Sequence, residues 1–211
     1  SYQQFLQVYG RMRDPLNGLY YHAYDDSRQM FWCDKVTGLS ENFWLRAMGW
    51  YAMALIDTME VMPEDRLGNE KKELNRIYKE LTDSMLPYQD EETGMWYQVV
   101  NRGGIAPNYL EESGSAIFAY AIMKSVRLHY LPEEYFKYGQ KAFDGICSTY
   151  LSEKDGSLQL GGICLVAGLG NTDMREGTFE YYMREPVVEN EAKGIAPLIL
   201  AYIETMFRCQ S

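Results

Sequence analysis

Apolar side chains recur at intervals of three and four along most of the chain, the spacing that places them on one face of an α-helix. This pattern predicts six helical segments and very little regular strand. The predicted segments are Tyr2–Met12, Glu41–Met62 after a candidate N-cap at Ser40, Asn69–Leu86, Glu112–Tyr130, one that opens at Pro132, and Glu191–Phe207. The fold class is therefore predicted to be all-α.

The predicted helices alternate in character along the chain. The second, fourth and sixth are apolar nearly all round and rich in small residues, as in 47–54, 114–121 and 194–201. A helix that is apolar on every face is expected to be buried on every face. The third and fifth carry a single apolar stripe and a polar back, so we expect an inner and an outer layer of helices.

The connections between the helices also repeat. Acidic turns with Gly18, Gly94 and Gly156 each precede an apolar or aromatic stretch. A recurring unit of paired helices indicates a toroid or a solenoid, in which no unit buries its own face. A closed double ring needs about twice as many hairpins as this chain supplies. We therefore expect residues 1–211 to be a single region, the C-terminal half of an (α/α)6 barrel, a toroid of six helical hairpins.

The amino-acid composition limits which partners, ligands and locations are expected. The chain has 211 residues and a net charge of −10, so a nucleic-acid partner is not expected. Its longest apolar stretch falls far below the ~18–20 residues of a membrane span. Four scattered cysteines, two histidines and no leader-like start predict a cytoplasmic protein with no metal and no cofactor.

Aromatic residues are in surplus: 18 Tyr, 8 Phe and 4 Trp suit stacking on sugar faces, although a Tyr-rich core explains them equally well. The richest passage gathers His22, Trp44, Arg46 and Trp50. Arg46 and Trp50 are four residues apart on one predicted helix, so they share a face. A guanidinium beside an indole suits a sugar acid, because the fork pairs with the carboxylate. The alternative is a structural role for each, with Arg46 in a buried salt bridge and Trp50 in the core.

Other candidate motifs are weaker. Asp25–Asp26 is a poor acid–base pair because adjacent side chains usually point apart. Glu111 and Glu112 are expected to complement the dipole of the helix that follows them. The glycine-rich stretch 161–170 lacks the spacing of a dinucleotide loop and is interpreted as a close-approach loop backed by 177–182.

Five segments in order resemble glycoside hydrolase family 105, the unsaturated rhamnogalacturonyl hydrolases. They are His22–Asp25, Trp44–Tyr51, Val166–Gly170, Glu185–Asn190 and Lys193–Gly194. The resemblance implies an (α/α)6 barrel that acts on pectin fragments left by lyases, whose non-reducing end is a 4,5-unsaturated galacturonic acid. An aspartic acid of the family protonates C4 of the enol ether, water adds at C5, and the hemiketal opens to expel the aglycone.

The resemblance also assigns roles to residues. The general acid Asp of the family is expected upstream of Ser1, so no catalytic residue is assigned within this chain, and Asp25 is not promoted to that role. The expected substrate-binding residues are His22, Trp44, Arg46, Trp50, Gly168, Gly177 and Tyr181. We expect an unsaturated uronate oligosaccharide as ligand, and either the missing N-terminal half or self-association to cover the inner helices. The alternatives are another (α/α)6 enzyme (an unsaturated glucuronyl hydrolase, a sugar epimerase or a polysaccharide lyase) or a non-catalytic helical scaffold fragment.

Overall fold

The computed structural model describes residues 2–171 and 173–209, without the side chains of Glu64 and Arg66. Within these ranges the chain forms seven α-helices and four short strands. The helices are α1 (Tyr2–Met12), α2 (Leu45–Val61), α3 (Glu64–Met85), α4 (Glu112–Arg127), α5 (Phe136–Tyr150), α6 (Phe179–Arg184) and α7 (Ala192–Cys209). The strands form two antiparallel pairs, β1 (Leu151–Lys154) with β2 (Ser157–Leu160) and β3 (Ile163–Cys164) with β4 (Val187–Val188). The predominantly helical fold class is confirmed.

Several element boundaries differ from the prediction. Helix α2 begins at Leu45, because Trp44 is still extended and pairs with Val99 across an isolated bridge. Ser40 does not cap this helix, and its hydroxyl instead accepts a hydrogen bond from the backbone of Ala23 at 3.0 Å. The short helix α6 and the four strands had no recognisable periodicity, since each spans fewer than two turns or only a few residues.

The two predicted layers are present. Helix α4 lies between α2 and α7, and the more polar helices α3 and α5 pack against them from outside. Every residue from Glu112 to Val126 of α4 is buried, as expected for a helix that is apolar on all faces. The buried side chains of α2, α3, α4 and the Trp96 loop form the main core of the molecule.

Complete burial of α2 and α7 was a wrong expectation. Trp50 on α2 is 40% exposed, and α7 exposes a row of large apolar side chains. They are Ile199, Tyr202, Ile203, Met206 and Phe207. The difference arises because α4 has an inner helix on each side, whereas α2 and α7 stand at the two ends of the row and have an inner neighbour on one side.

The repeated acidic turns have a shared structure. Asp14 and Asp90 each accept backbone hydrogen bonds within the turn, and the amides of Gly18 and Gly94 donate back to their carbonyls. Both glycines have positive φ, a conformation that costs glycine little. Gly156 belongs to a different turn, the two-residue Asp155–Gly156 loop between β1 and β2, where both residues have positive φ.

No helix in residues 2–171 and 173–209 is long and apolar enough to cross a membrane. The same residues contain no cluster of three or more His, Cys, Asp or Glu side chains suited to a metal ion. All four cysteines are free thiols, and Cys33 and Cys164 are buried.

Candidate active site

The candidate site forms where the first turns of α2, α4 and α7 approach one another. Arg46 lies in the first turn of α2 and reaches Ser113 in the first turn of α4. Gly194 in the first turn of α7 lies so close to Glu112 that a Cβ atom at Gly194 would overlap the Glu112 carboxyl group. The strand residue Cys164 closes the group by accepting a hydrogen bond from Arg46. Residues far apart in the sequence therefore converge at one end of the inner helices.

Arg46 is the central charge of this group and is only 1% exposed. Its Nη1 donates to the Ser113 hydroxyl at 2.9 Å and to the Cys164 carbonyl at 2.6 Å, and lies 3.9 Å from Glu111 Oε1. The Trp44 ring lies over the guanidinium, 4.9 Å from Cζ to the ring centroid. The Nε atom of Arg46 is buried and has no hydrogen-bond partner among the described residues. One end of the guanidinium is therefore fixed by protein groups, while the Nε edge keeps unused donor capacity.

Glu111 is the residue that fixes α4 to this centre. Its carboxylate caps the helix by accepting from the amides of Ser113 and Gly114, and it also accepts from the Cys164 amide at 3.0 Å. The expectation that Glu111 supports the N-terminus of this helix is confirmed. The same carboxylate therefore links β3, α4 and Arg46.

Glu112, unlike Glu111, has a carboxyl group without hydrogen-bond partners in the described part of the chain. Both of its carboxyl oxygens are buried and have no hydrogen-bond partner among the described residues. Burial, together with the adjacent charge of Glu111, raises the pKa of Glu112 to about 9, although Arg46 opposes the shift. Glu112 is therefore a neutral acid at pH 7 and not the charged dipole partner that the sequence suggested.

His22 packs against Trp44, the residue whose ring lies over Arg46. Its Nδ1 lies 2.6 Å from the Tyr182 hydroxyl, and its ring is tilted against Trp44 with centroids 4.5 Å apart. Burial and then the positive charge of Arg46 lower the pKa of His22 to about 3. The imidazole is therefore neutral at pH 7 and has one donor and one acceptor nitrogen.

The glycine-rich stretch 161–170 and the segment 177–182 form the rest of the candidate site. The Tyr181 hydroxyl donates to the Gly168 carbonyl at 2.6 Å, and the Asn42 side chain donates to the Gly177 carbonyl at 2.8 Å. Gly177 has φ of +71°, and a Cβ there would meet the Leu169 side chain. Six of the seven predicted binding residues are thus brought together: His22, Trp44, Arg46, Gly168, Gly177 and Tyr181.

Trp50 is set apart from these six residues. Trp50 lies one turn further along α2 and is 40% exposed, whereas Arg46 is enclosed by Ser113 and Cys164. The indole that lies over the guanidinium belongs to Trp44 and not to Trp50. A binding role for Trp50 stays a prediction, and its exposed ring is open to a ligand or to a covering helix.

Asp25 has the properties of a turn residue. Its carboxylate accepts hydrogen bonds from the amides of Ser27, Gln29 and Met30. These bonds, that of Met30 first, lower the pKa of Asp25 to about 2. An ionised, fully engaged carboxylate is unsuited to donate a proton near pH 7.

The sequence did not predict which contacts hold the site together. Tyr182 contacts His22, Gln98 accepts from the Trp44 indole at 3.0 Å, and Ser113 and Glu111 hold Arg46. Adjacent tyrosines at 181 and 182 were a signal of a packed aromatic pair. The sequence does not show which of the two faces His22, because that depends on the orientation of α6.

Comparisons with known proteins agree with this architecture. The sequence model of the family "Glycosyl Hydrolase Family 88" matches residues 1–209. The "24.9 kDa protein in picA locus" of Rhizobium radiobacter is 41% identical over 196 residues, which cover 90% of this chain and 82% of that protein. A family 105 glycoside hydrolase structure from C. acetobutylicum is 43% identical with a TM-score of 0.94, covering 98% of this chain and 57% of that one. The unsaturated rhamnogalacturonyl hydrolase YesR of Bacillus subtilis is 29% identical over 145 residues, covering 69% of this chain and 36% of that protein.

The chain thus spans 57% of the C. acetobutylicum structure, while its match to the 24.9 kDa protein extends over most of that relative. A TM-score of 0.94 over 98% of the residues means that the described helices follow the (α/α)6 arrangement of that hydrolase. The match over 1–209 is essentially the whole sequence. The chain therefore belongs to the group formed by glycoside hydrolase families 88 and 105, the relatives of the unsaturated glycuronyl hydrolases.

Proposed function

We propose that this chain is the uronate-holding part of an unsaturated rhamnogalacturonyl hydrolase. Such an enzyme removes the 4,5-unsaturated galacturonyl residue from lyase-generated rhamnogalacturonan or pectin oligosaccharides. The observation that carries the proposal is the environment of Arg46, a buried guanidinium with one edge bonded to protein and a buried, unpartnered Nε. A related protein that shares 29% identity with it is an unsaturated rhamnogalacturonyl hydrolase.

The buried, unpartnered Nε edge of Arg46 suits a carboxylate. Guanidinium groups pair with carboxylates through two parallel N–H donors, and Nε with one Nη forms such a pair. Trp44 covers one face of the group, which reduces competition from water and strengthens the charge interaction. Pairing with a uronate would also satisfy the buried donor that otherwise costs free energy.

The neighbouring side chains suit the rest of the sugar. His22 is neutral and partly exposed, so its imidazole can hydrogen-bond a hydroxyl without introducing a second positive charge. The exposed Trp50 ring offers a face for stacking on a pyranose. The ligand would therefore be held by one ion pair, one or more neutral hydrogen bonds and one aromatic face.

The proposed reaction is hydration of the enol ether. A proton adds to C4, and water adds at C5 with loss of its own proton. The resulting hemiketal opens to a C5 ketone and leaves a hemiacetal at C1, which breaks down to an aldehyde and releases the saccharide that was linked there. The proton must come from a carboxylic acid at the sugar, and we place that acid, an aspartic acid, upstream of Ser1. Asp25 is a poor source because it is held ionised.

Arg46→Lys tests the binding role. Lysine keeps the positive charge but loses the planar fork, so we expect affinity for an unsaturated digalacturonate to fall roughly tenfold to a hundredfold, the cost of one charge-assisted hydrogen bond. Binding to the chain is measured by titration calorimetry. Hydrolysis is followed in the longer protein that carries the upstream acid, by the loss of absorbance of the unsaturated uronate.

The matched control is Arg127→Lys, which alters another partly buried arginine that pairs with Glu204 away from the site. We expect this variant to lower the melting temperature but to keep ligand affinity. Equal affinity of Arg46→Lys and the unaltered chain would contradict the proposal. A gain of absorbance on saturated pectin would instead identify a lyase.

A further inference from the structure

The contact between Tyr182 and His22 is a hydrogen bond whose direction depends on which nitrogen of His22 carries the proton. Tyr182 is completely buried, and its hydroxyl lies 2.6 Å from His22 Nδ1. Among the described residues, this hydroxyl has no other hydrogen-bond partner. A buried hydroxyl needs an acceptor for its proton, and leaving that proton unpaired costs about 1–3 kcal/mol.

Two arrangements of protons are possible. If Nδ1 carried the imidazole proton, it would donate to Tyr182, and the buried phenol proton would have no acceptor in the described part of the chain. If Tyr182 donates, Nδ1 accepts and the proton of the neutral imidazole resides on Nε2. Burial raises the pKa of Tyr182 well above its usual value, so its hydroxyl stays protonated. The second arrangement satisfies both buried groups.

The surrounding structure holds Tyr182 in place for this contact. Thr178 caps helix α6, and its carbonyl accepts from the Tyr182 amide at 3.2 Å. The Tyr182 ring also packs against Tyr181 and Trp44. Gln98 fixes the Trp44 indole through a hydrogen bond of 3.0 Å, so the imidazole packs against two anchored aromatic rings that also contact each other.

We infer that Tyr182 is a positioning residue that locks His22 in the tautomer protonated at Nε2, so that His22 presents an N–H donor to the sugar. His22 Nε2 has no hydrogen bond to a described residue, and the ring is partly exposed, so this donor remains available to a ligand. The part that concerns the sugar rests on the proposed function. The part that concerns the tautomer rests on the Tyr182 contact alone.

Nitrogen NMR tests the inference directly. The chain has only two histidines, and His129 is exposed, so a His129→Gln variant assigns the His22 signals. In a long-range proton–nitrogen spectrum of the 15N-labelled chain at pH 7, we expect a pyridine-type Nδ1 and a pyrrole-type Nε2 for His22. In Tyr182→Phe the two nitrogen signals should move toward each other, because the imidazole then exchanges between tautomers.

Tyr181→Phe is the matched control, since it removes the neighbouring hydroxyl that bonds Gly168 and not His22. It should leave the His22 nitrogen pattern as in the unaltered chain. A protonated Nδ1, averaged signals in the unaltered chain, or an unchanged pattern in Tyr182→Phe would overturn the inference. The spectrum of the unaltered chain decides the direction of the hydrogen bond even if Tyr182→Phe does not fold.

Titration with unsaturated digalacturonate separates this inference from the proposed function. We expect ligand to shift His22 Nε2 and Tyr182→Phe to lower the affinity roughly threefold to tenfold, the effect of a misplaced neutral hydrogen bond. Absence of any binding together with the expected tautomer would contradict the proposed function and leave the positioning role intact. Binding that is as tight in Tyr182→Phe as in the unaltered chain would overturn the positioning role.

Discussion

Two adjacent glutamates at the start of α4 show how strongly single residues depend on their surroundings. Glu111 accepts hydrogen bonds from two amides of its own helix and from Cys164, and lies 3.9 Å from Arg46. Glu112 points between α4 and α7 and has no partner for either oxygen among the described residues. The same side chain is therefore a charged cap at one position and a neutral buried acid at the next.

Glu112→Gln is predicted to stabilise the protein at alkaline pH. The folded pKa of about 9 lies above the ordinary value of 4.5, so the unfolded state loses its proton first. Stability attributable to Glu112 is fully present below about pH 4.5 and falls as the pH rises toward 9. Glutamine has no proton to lose, and we expect a gain on the order of 1–3 kcal/mol at pH 8, measured by urea unfolding.

The pH dependence provides the internal check on this prediction. The difference between Glu112→Gln and the unaltered chain should shrink as the pH falls toward 4.5. Glu189→Gln, at an exposed carboxylate before α7, should give no comparable gain. A destabilised Glu112→Gln at pH 8 would mean that Glu112 is ionised and partnered.

At the scale of elements, glycines set how closely the helices approach the turns and one another. Gly145 of α5 lies against the backbone of Thr93 in the Asp90 turn, where a Cβ would overlap the Thr93 carbonyl oxygen. Gly10 in α1 has open space around its Cα. Both are helical, but only Gly145 permits an element to dock.

Alanine substitutions at these two glycines are predicted to have opposite effects. Gly145→Ala should destabilise the fold by about 1–3 kcal/mol, because a backbone segment must shift to admit the methyl group. Gly10→Ala should stabilise it by about 0.5–1 kcal/mol, because alanine has the higher helix propensity and meets no neighbour. Thermal unfolding followed by circular dichroism checks both, and a neutral Gly145→Ala would show that α5 can move away at little cost.

At the scale of the whole molecule, the row of inner helices ends in an apolar face. An apolar groove of about 450 Å³ lies between α5, α7 and the β1–β2 hairpin, lined by Phe143, Leu158, Ile199 and Tyr202 among others. Ile203, Met206 and Phe207 continue this surface along α7. Contiguous exposed apolar surface of this kind marks interaction sites in soluble proteins. Related hydrolases extend well beyond the part that this chain matches.

The 211-residue chain by itself is predicted to self-associate through this face. In sedimentation velocity experiments, the double variant Ile199→Lys with Ile203→Lys should shift the chain toward monomer, since the two side chains are 53% and 41% exposed and four residues apart on α7. Leu16→Lys changes an isolated side chain that is 93% exposed, and should leave association unchanged. A monodisperse, cooperatively melting monomer of the unaltered chain would count against an uncovered half of a toroid.

Local sequence patterns were sufficient to predict the helices, their alternation and the family resemblance. The three-and-four spacing and the glycines at 18 and 94 report local backbone preferences, which act between near neighbours. The boundary errors lie where distant segments intervene, as at Trp44, which pairs with Val99 and delays the start of α2. Local patterns therefore located the elements and approximated their ends.

The grouping of side chains into the site depends on long-range contacts. Arg46 reaches Ser113 and Cys164, and His22 reaches Tyr182, across sequence separations of 67, 118 and 160 residues. No periodicity encodes such contacts, because they depend on how whole helices and loops are placed. For the same reason, the sequence did not show that Glu112 and Glu111 have different environments. It also did not show that α7 lies at the edge of the row while α4 is enclosed. Burial and hydrogen-bond partners arise only when the helical layers pack together. They decide which of two residues of the same type is charged, exposed or available to a ligand.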